Sequence, residues 1–201
     1  EVIEDNRRSL SGGQLQMHDN VLAEIELDEE GKRALSVRLR ELCAYQDETY
    51  AEEYAQVVRR VWQSEQRFPD RGWCLTRAVI LNLYKLMAYK DEYEVARLAT
   101  QAAAEGRIRQ LFDGEVKVSY MLHPPTLRWM KLGKIKMGPW LRPLLKLLSQ
   151  CKGLRGKAID PFGHTAARKL ERDLVGWYRQ TVEEVLQRVG GENYGVAAQI
   201  L

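Results

Sequence analysis

CLTRAVILNLYKLMAY, running from Cys74 to Tyr89, is the stretch that decides the fold. Wound as an α-helix, it places Leu75, Val79, Ile80, Leu81, Leu83, Tyr84, Leu86, Met87 and Ala88 on nearly every side, and only Thr76, Arg77, Asn82 and Lys85 interrupt. A helix apolar almost all round belongs inside a packed domain. At sixteen residues it is too short to span a bilayer. The expected architecture is therefore mainly α: a bundle-like helical domain around a central buried helix at about 74–89.

The flanking sequence supplies the cover. Asp28 is placed to cap a helix through about Tyr45, with Leu35, Leu39 and Leu42 on one face. Thr49-Tyr-Ala-Glu52 has the spacing of a capping box and predicts a helix to about Gln66 that carries Tyr50, Tyr54, Val57, Val58, Val61 and Trp62. Phe68 to Gly72 reads as a turn. Asp91-Glu-Tyr-Glu94 repeats the box spacing and predicts a helix to about Glu105, with Tyr93, Leu98 and Ala102 inward.

Val116, Val118, Tyr120 and Leu122 then alternate with Lys117, Ser119 and Met121, a period of two that His123-Pro-Pro125 stops. Residues 133–137 can pair back, giving a small β-hairpin over about 115–137. From Pro139 to Gln150 an apolar arc of Trp140, Leu141, Leu144, Leu145, Leu147 and Leu148 separates from the polar residues. A loop, 154–163, leads to a last long helix from about Thr165 to Val189, whose arc is Leu170, Leu174, Trp177, Tyr178, Val182, Val185 and Val189. Residues 1–27 lack a clean period and are expected to be irregular, or the remnant of a preceding domain. Residues 28–189 form the single helical domain with its hairpin, and 190–201 a C-terminal tail.

A chain of 201 residues can bury one good core. With 29% charged residues and no membrane-length apolar run, it reads as an ordinary globule placed in the cytoplasm, with no signal peptide visible. The first residue is Glu, so the expectation is of a piece of a longer polypeptide or a processed chain. Cys43, Cys74 and Cys151 are odd in number and lack CxxC spacing, which fits free thiols rather than a cluster held by this chain. The net charge of +3 hides a segregation: residues 1–60 hold fourteen acids against eight bases, whereas 116–159 hold ten Lys or Arg and no acid. The basic segment calls for a partner, and docking on acidic protein is favoured over nucleic acid.

Glu171 falls inside the apolar arc of the last helix, where a carboxylate needs a proton or a cation; a buried ion pair, with Arg155 or Lys90 as partner, or partial exposure at the arc's edge is preferred over a general acid. Lys152, Arg155, Lys157, His164 and Arg168 surround the start of that helix and form a candidate anion or docking site. No phosphate-loop or dinucleotide glycine pattern accompanies them. His18, His123 and His164 lack companions at metal-ligand spacing, and no GxSxG setting provides a nucleophile. No catalytic, cofactor-binding or metal-ligating residue is assigned.

Two passages are more specific. LYKLMAYKDEYEVARL (Leu83–Leu98) and KGLRGKAIDPFGHTAARKLER (Lys152–Arg172) resemble runs in the C-terminal helical domain of bacterial indolepyruvate ferredoxin oxidoreductases. His123-Pro-Pro125 and KIKMGPW (Lys134–Trp140) fall between them in the expected order, and LCAYQDETYAEEY (Leu42–Tyr54) is similar to the domain's opening helices. Lys157, His164 and Ala167 depart from that pattern, where a Thr, an aromatic residue and an acid are expected. The resemblance spans about residues 28–189. It implies a parent enzyme that oxidatively decarboxylates arylpyruvates to acyl-CoA and passes electrons to ferredoxin, using thiamine diphosphate, iron–sulfur clusters and CoA. The motifs for those cofactors lie outside this chain. By this resemblance the chain is a non-catalytic docking module whose partners are other domains or subunits of a homo-oligomeric parent, with no nucleic acid and no membrane. The alternative is an anion-binding module for CoA or phosphate at residues 152–168, and a second is a nucleic-acid binder.

Overall fold

The computed structural model describes residues 1–101, 111, 119–122 and 135–201, and among them the chain is mainly helical. It opens with two helices, α1 (Val2–Arg8) and α2 (Gly13–Glu24), where irregular chain is expected. The reason is visible in what they bury: the enclosed residue of α1 is Asn6, and α2 encloses His18 beside Met17 and Val21. Polar residues in core positions erase the hydrophobic period that would betray the helices.

α3 (Glu29–Tyr45) begins as its sequence predicts, with the Asp28 carboxylate accepting from the Gly31 amide at 3.0 Å. Leu35, Leu39 and Leu42 are buried along one face. α4 (Glu48–Glu65) is capped by Asp47, which accepts from the Tyr50 amide at 2.9 Å, and not by the Thr49 box. Both positions carry a suitable acceptor three residues before a helical amide, and capping by Asp47 starts the helix two residues earlier.

After a 3₁₀ turn at Pro69–Arg71, Gly72 and Trp73 both take left-handed backbone, φ 69° and 59°. Glycine tolerates this freely and tryptophan does not. The chain thereby swings into α5 (Cys74–Met87). Leu75, Val79, Ile80, Leu83 and Met87 of α5 are buried, whereas Leu81 is exposed, so the helix is enclosed on one broad face rather than all round. α8 (Ala166–Arg188), opened by Thr165, and α9 (Tyr194–Ile200) complete this part of the molecule. α3, α4, α8 and α9 all touch α5 or its neighbours, and their apolar residues form one continuous core. The expected tail at 190–201 therefore contains a packed helix.

α5 has no side-chain cap of its own. Its first amides are satisfied from elsewhere. The fully buried Glu65 carboxylate accepts from Leu75 N–H at 2.9 Å, Thr76 N–H at 2.8 Å and Thr76 Oγ1 at 2.5 Å, and from the Tyr194 hydroxyl by a short bond. Tyr194 accepts in turn from Cys74 N–H at 3.2 Å. Further along α5, Tyr54 donates to Ile80 O and Tyr50 to Met87 O, each at 2.9 Å. Burial pushes both phenols upward, so they remain donors.

Contacts divide the chain into two compact units, Glu1–Tyr89 with Arg155–Leu201, and Lys90–Leu154. In the second unit, Asp91 caps α6 (Glu92–Thr100), accepting from Glu94 N–H at 2.8 Å. The other half of the predicted box is not made, because Glu94 turns to Arg97. α7 (Arg142–Gln150) follows a 3₁₀ turn at Pro139–Leu141, and Leu141 and Leu145 pack against Ala96 of α6. Most of the expected hairpin lies outside the described residues; Tyr120–Leu122 (β1) and Ile135–Met137 (β2) are described and pair antiparallel, Tyr120 opposite Met137. Ala102, the basic residues up to Lys134 and His123-Pro-Pro125 lie outside them too.

Replacing Glu65 by Gln leaves a donor facing donors at the start of α5. Urea denaturation of Glu65→Gln should show a loss of about 2–4 kcal/mol, and Tyr194→Phe a loss of about 1–2 kcal/mol. A Glu65→Gln chain within about 0.5 kcal/mol of the unchanged protein refutes the role given to this carboxylate.

Candidate functional site

The loop before α8 is held by one aspartate. Asp160, buried beside Pro161, accepts from Gly156 N–H at 2.9 Å through one oxygen and from Phe162 N–H at 3.0 Å through the other. Gly156 sits at φ 73°, which lets the chain double back after Arg155. His164 Nε2 lies 3.1 Å from Ala158 O, and Arg172 donates to Gly163 O at 2.9 Å. The loop is thus fixed to itself and to the first turns of α8, whose Thr165 hydroxyl accepts from Arg168 N–H at 3.3 Å.

This arrangement separates the residues grouped from sequence. Arg155 is buried: its guanidinium lies 3.6 Å from the centre of the Tyr45 ring and donates to Tyr45 O at 2.5 Å. A cation on the last carbonyls of α3 is a C-terminal cap, so Arg155 has a structural task. Arg168 is bonded to Glu171 at 2.6 Å and lies over the Tyr89 ring. Glu171 therefore does form an ion pair, with the residue one turn before it in place of Arg155 or Lys90, and it is half-buried. Lys157 and His164 are exposed, while Lys152 belongs to the other compact unit.

A different set of side chains converges nearby. A cleft of about 230 Å³ is lined by Tyr50 and Glu53 of α4, Tyr89, Arg155, and Arg172 and Arg179 of α8, with Val175 between the last two. Arg179 reaches Glu53 at 3.2 Å. Among the described residues no carboxylate pairs with Arg172, whose one bond is to the Gly163 carbonyl. Tyr45 stacks on Tyr50 at 5.9 Å and meets Tyr89 edge-on at 6.1 Å, so the aromatic wall is rigid. Sequence reading missed Arg172 and Arg179 because seven residues separate them, two turns of one helix face, and nothing local marks that face.

Two other hollows lie in this unit. One runs between α8 and α9 over Val185, Val189 and Ala197, about 290 Å³. The other, about 580 Å³, is an acidic trough of Glu24, Glu48, Glu52 and Glu53 that Arg59 spans, bonding Glu24 at 2.6 Å and Glu52 at 3.2 Å.

One constellation has the geometry of a nucleophilic relay without its access. Ser36 Oγ lies 2.9 Å from His18 Nε2, and His18 Nδ1 lies 3.1 Å from Asp19 Oδ1. Asn6 donates to Ser36 Oγ at 2.9 Å, and Arg7 grips Asp19 through two bonds of 2.9 and 2.8 Å. That grip holds the Asp19 carboxyl below the usual carboxylate range. Ser36 and His18 are both 0% exposed, and neither lines any of the three hollows. A hydroxyl that no substrate can reach does no acyl chemistry. The network instead joins α1, α2 and α3. Among the described residues no three His, Cys, Asp or Glu side chains gather as a metal site, and no helix is long and apolar enough to cross a membrane.

The amphipathic helices carry the remaining surprise. On α8, Tyr178, Val182 and Val185 are buried, but Leu170, Leu174 and Trp177, expected inward, are exposed, Leu170 by 59% and Trp177 by 60%. On α7 and the turn before it, Leu141 and Leu145 are buried and Trp140, Leu144 and Leu147 face outward. Leu98 of α6 is also exposed.

The sequence model of one protein family, described as a family of unknown function (DUF6537), matches residues 32–201. No curated protein and no solved structure matches the chain.

Two outcomes follow from the loop and the network. Asp160→Ala frees two amides, and tryptic cleavage after the exposed Lys157 should quicken about tenfold; an unchanged rate refutes the locking role. Asp19→Asn removes a carboxylate whose folded-state pKa is depressed. The stability that Asp19 adds is present above its unfolded value, about 3.9, and is lost as pH falls through its lower folded value. The melting-temperature gap between the unchanged chain and Asp19→Asn should thus be constant at neutral pH and close in acid. A gap that widens in acid contradicts the assignment.

Proposed function

The chain belongs to the DUF6537 family, and from that footing we propose that it is a non-catalytic structural and docking module of an indolepyruvate-type 2-oxoacid:ferredoxin oxidoreductase. The resemblance in residues 83–98 and 152–172 supports the parentage. The observation that carries the docking role is the bare apolar stripe of α8. Leu170, Leu174 and Trp177 stand at i, i+4 and i+7, one face of the helix, and remain in solvent. Contiguous apolar surface rimmed by polar residues marks protein contact sites, and tryptophan is among the residues that anchor them. The occupant is a sibling domain or subunit of the parent. The basic residues of 116–159 add an electrostatic preference for an acidic face on it.

In this reading thiamine diphosphate, the iron–sulfur clusters and CoA are handled by other domains, ferredoxin takes the electrons there, and the assembly is a cytoplasmic homo-oligomer. The finer architecture we propose is a helical body wrapped on α5 with an antiparallel hairpin appended at about 115–137.

The full-length parent lacking residues 28–201 should lose assembly, seen by size-exclusion chromatography, before it loses intrinsic chemistry. Leu170→Ser with Trp177→Ser should also dissociate it while leaving the melting temperature of the isolated chain nearly unchanged, since both side chains are already exposed. Correct assembly of either variant with selectively weakened CoA or substrate affinity overturns the docking role.

A further inference from the structure

We propose that the cleft between α4, α8 and the 155–163 loop binds the phosphate of a small phosphate monoester, with Arg172 and Arg179 holding the oxyanion and Tyr50, Tyr89 and Val175 walling its organic part. This site is distinct from the α8 stripe and does not depend on the parentage proposed above.

The charge balance of the lining comes first. Two arginines of α8, Arg172 and Arg179, face one lining carboxylate, Glu53, which is exposed and already engaged by Arg179. Arg172 is held in place by the Gly163 carbonyl, a neutral partner that fixes the side chain and leaves its charge uncompensated by any described carboxylate. A half-buried guanidinium kept without a counter-charge is an unfavourable arrangement unless an anion completes it.

Geometry comes second. Arg172 and Arg179 stand two helical turns apart on one face of α8, about 10 Å along the axis. Both side chains line the one hollow, so an anion in it is met from two positions along the helix, which suits an acceptor with several lone-pair directions. A tetrahedral phosphate is one, whereas a planar carboxylate is satisfied by a single fork. Val175 lies between them at the floor.

Size and shape come third. The hollow is larger than a bare phosphate, and the space beyond the arginines is bounded by aromatic and aliphatic side chains. Tyr50 has its hydroxyl committed to Met87 O, so it presents a ring and not a polar group. The wall is prearranged by stacking on Tyr45, which Arg155 also contacts, 3.6 Å from the ring centre. Pre-formed, partly apolar clefts with a few fixed cations are the usual form of small-molecule sites.

The test is isothermal titration of the full chain with phenyl phosphate and with inorganic phosphate, at matched ionic strength. Phenyl phosphate should bind one to one and at least about tenfold tighter than inorganic phosphate, because the ring fills the tyrosine-walled part. Arg172→Gln and Arg179→Gln should each weaken it by about tenfold or more, and Arg172→Lys by less, since the charge stays. Lys157→Gln, on the exposed loop outside the cleft, should change affinity less than about twofold. Melting temperatures of all four variants verify folding. Absence of binding by the unchanged chain at about 10 mM phenyl phosphate, equal affinity for the two phosphates, or a Lys157→Gln loss as large as that of Arg172→Gln would each overturn the site.

Discussion

The side chain of Glu65 is wholly enclosed by protein, and a lone carboxylate so placed would destabilise the fold by several kcal/mol. Four donors make the position tenable: two amides and a hydroxyl at the start of α5, and the Tyr194 hydroxyl from α9. An ionised carboxylate has about four lone-pair positions, and all of them are used. The same contact solves a second problem. Trp73 enters α5 with left-handed backbone and offers no capping side chain, so the helix has no local means of satisfying its first amides. The anion at its positive end supplies them. One residue thus ties the end of α4, the start of the core helix and the C-terminal helix together. Arg71 reinforces the last link by lying over the Tyr194 ring and donating to Gly191 O at 3.2 Å.

What could be read from the sequence is what depends on near neighbours. The starts of α3, α6 and α8 follow from Asp28, Asp91 and Thr165, each acting three residues away. The helical character of the chain and the burial of Leu75, Val79, Ile80, Leu83 and Met87 follow from periodicity alone. The contacts that decide the interior do not. Glu65 and Tyr194 are separated by 129 positions, and Asn6 and Ser36 by 30, with no pattern in the sequence pointing from one to the other. For the same reason α1 and α2 are hard to see: Asn6 and His18 are enclosed through Ser36 of α3, a partner the sequence does not point to.

The misplacement of the apolar residues of α7 and α8 has a single cause. At roughly 100° per residue, Leu170, Leu174 and Trp177 cluster roughly 80° from Tyr178, Val182 and Val185, and Trp140, Leu144 and Leu147 stand in nearly the same relation to Leu141, Leu145 and Leu148. Each helix presents an apolar arc wider than one packing partner covers. Periodicity reports the width of such an arc and not which half of it meets the core. The half left bare is the surface on which the docking proposal rests.

The same angular argument places the cleft. Arg172, Val175 and Arg179 lie roughly 85° from the buried face of α8, on the side away from the bare stripe. α8 therefore presents three faces: one packed against α4 and α5, an exposed apolar surface on one flank, and a guanidinium-lined hollow on the other. Because the buried face lies between the two flanks, a partner covering Leu170, Leu174 and Trp177 contacts none of the residues that line the hollow on α8. Occupancy of one is then compatible with occupancy of the other, and coupling between them has to pass through the packing of Tyr178, Val182 and Val185. Those residues sit in the core that Glu65 anchors, and Tyr178 donates to Leu201 O at 2.6 Å with its hydroxyl pushed up to about 12 by burial. A close-packed face of this kind resists small displacements, so under the two proposals above the stripe and the hollow would be occupied independently.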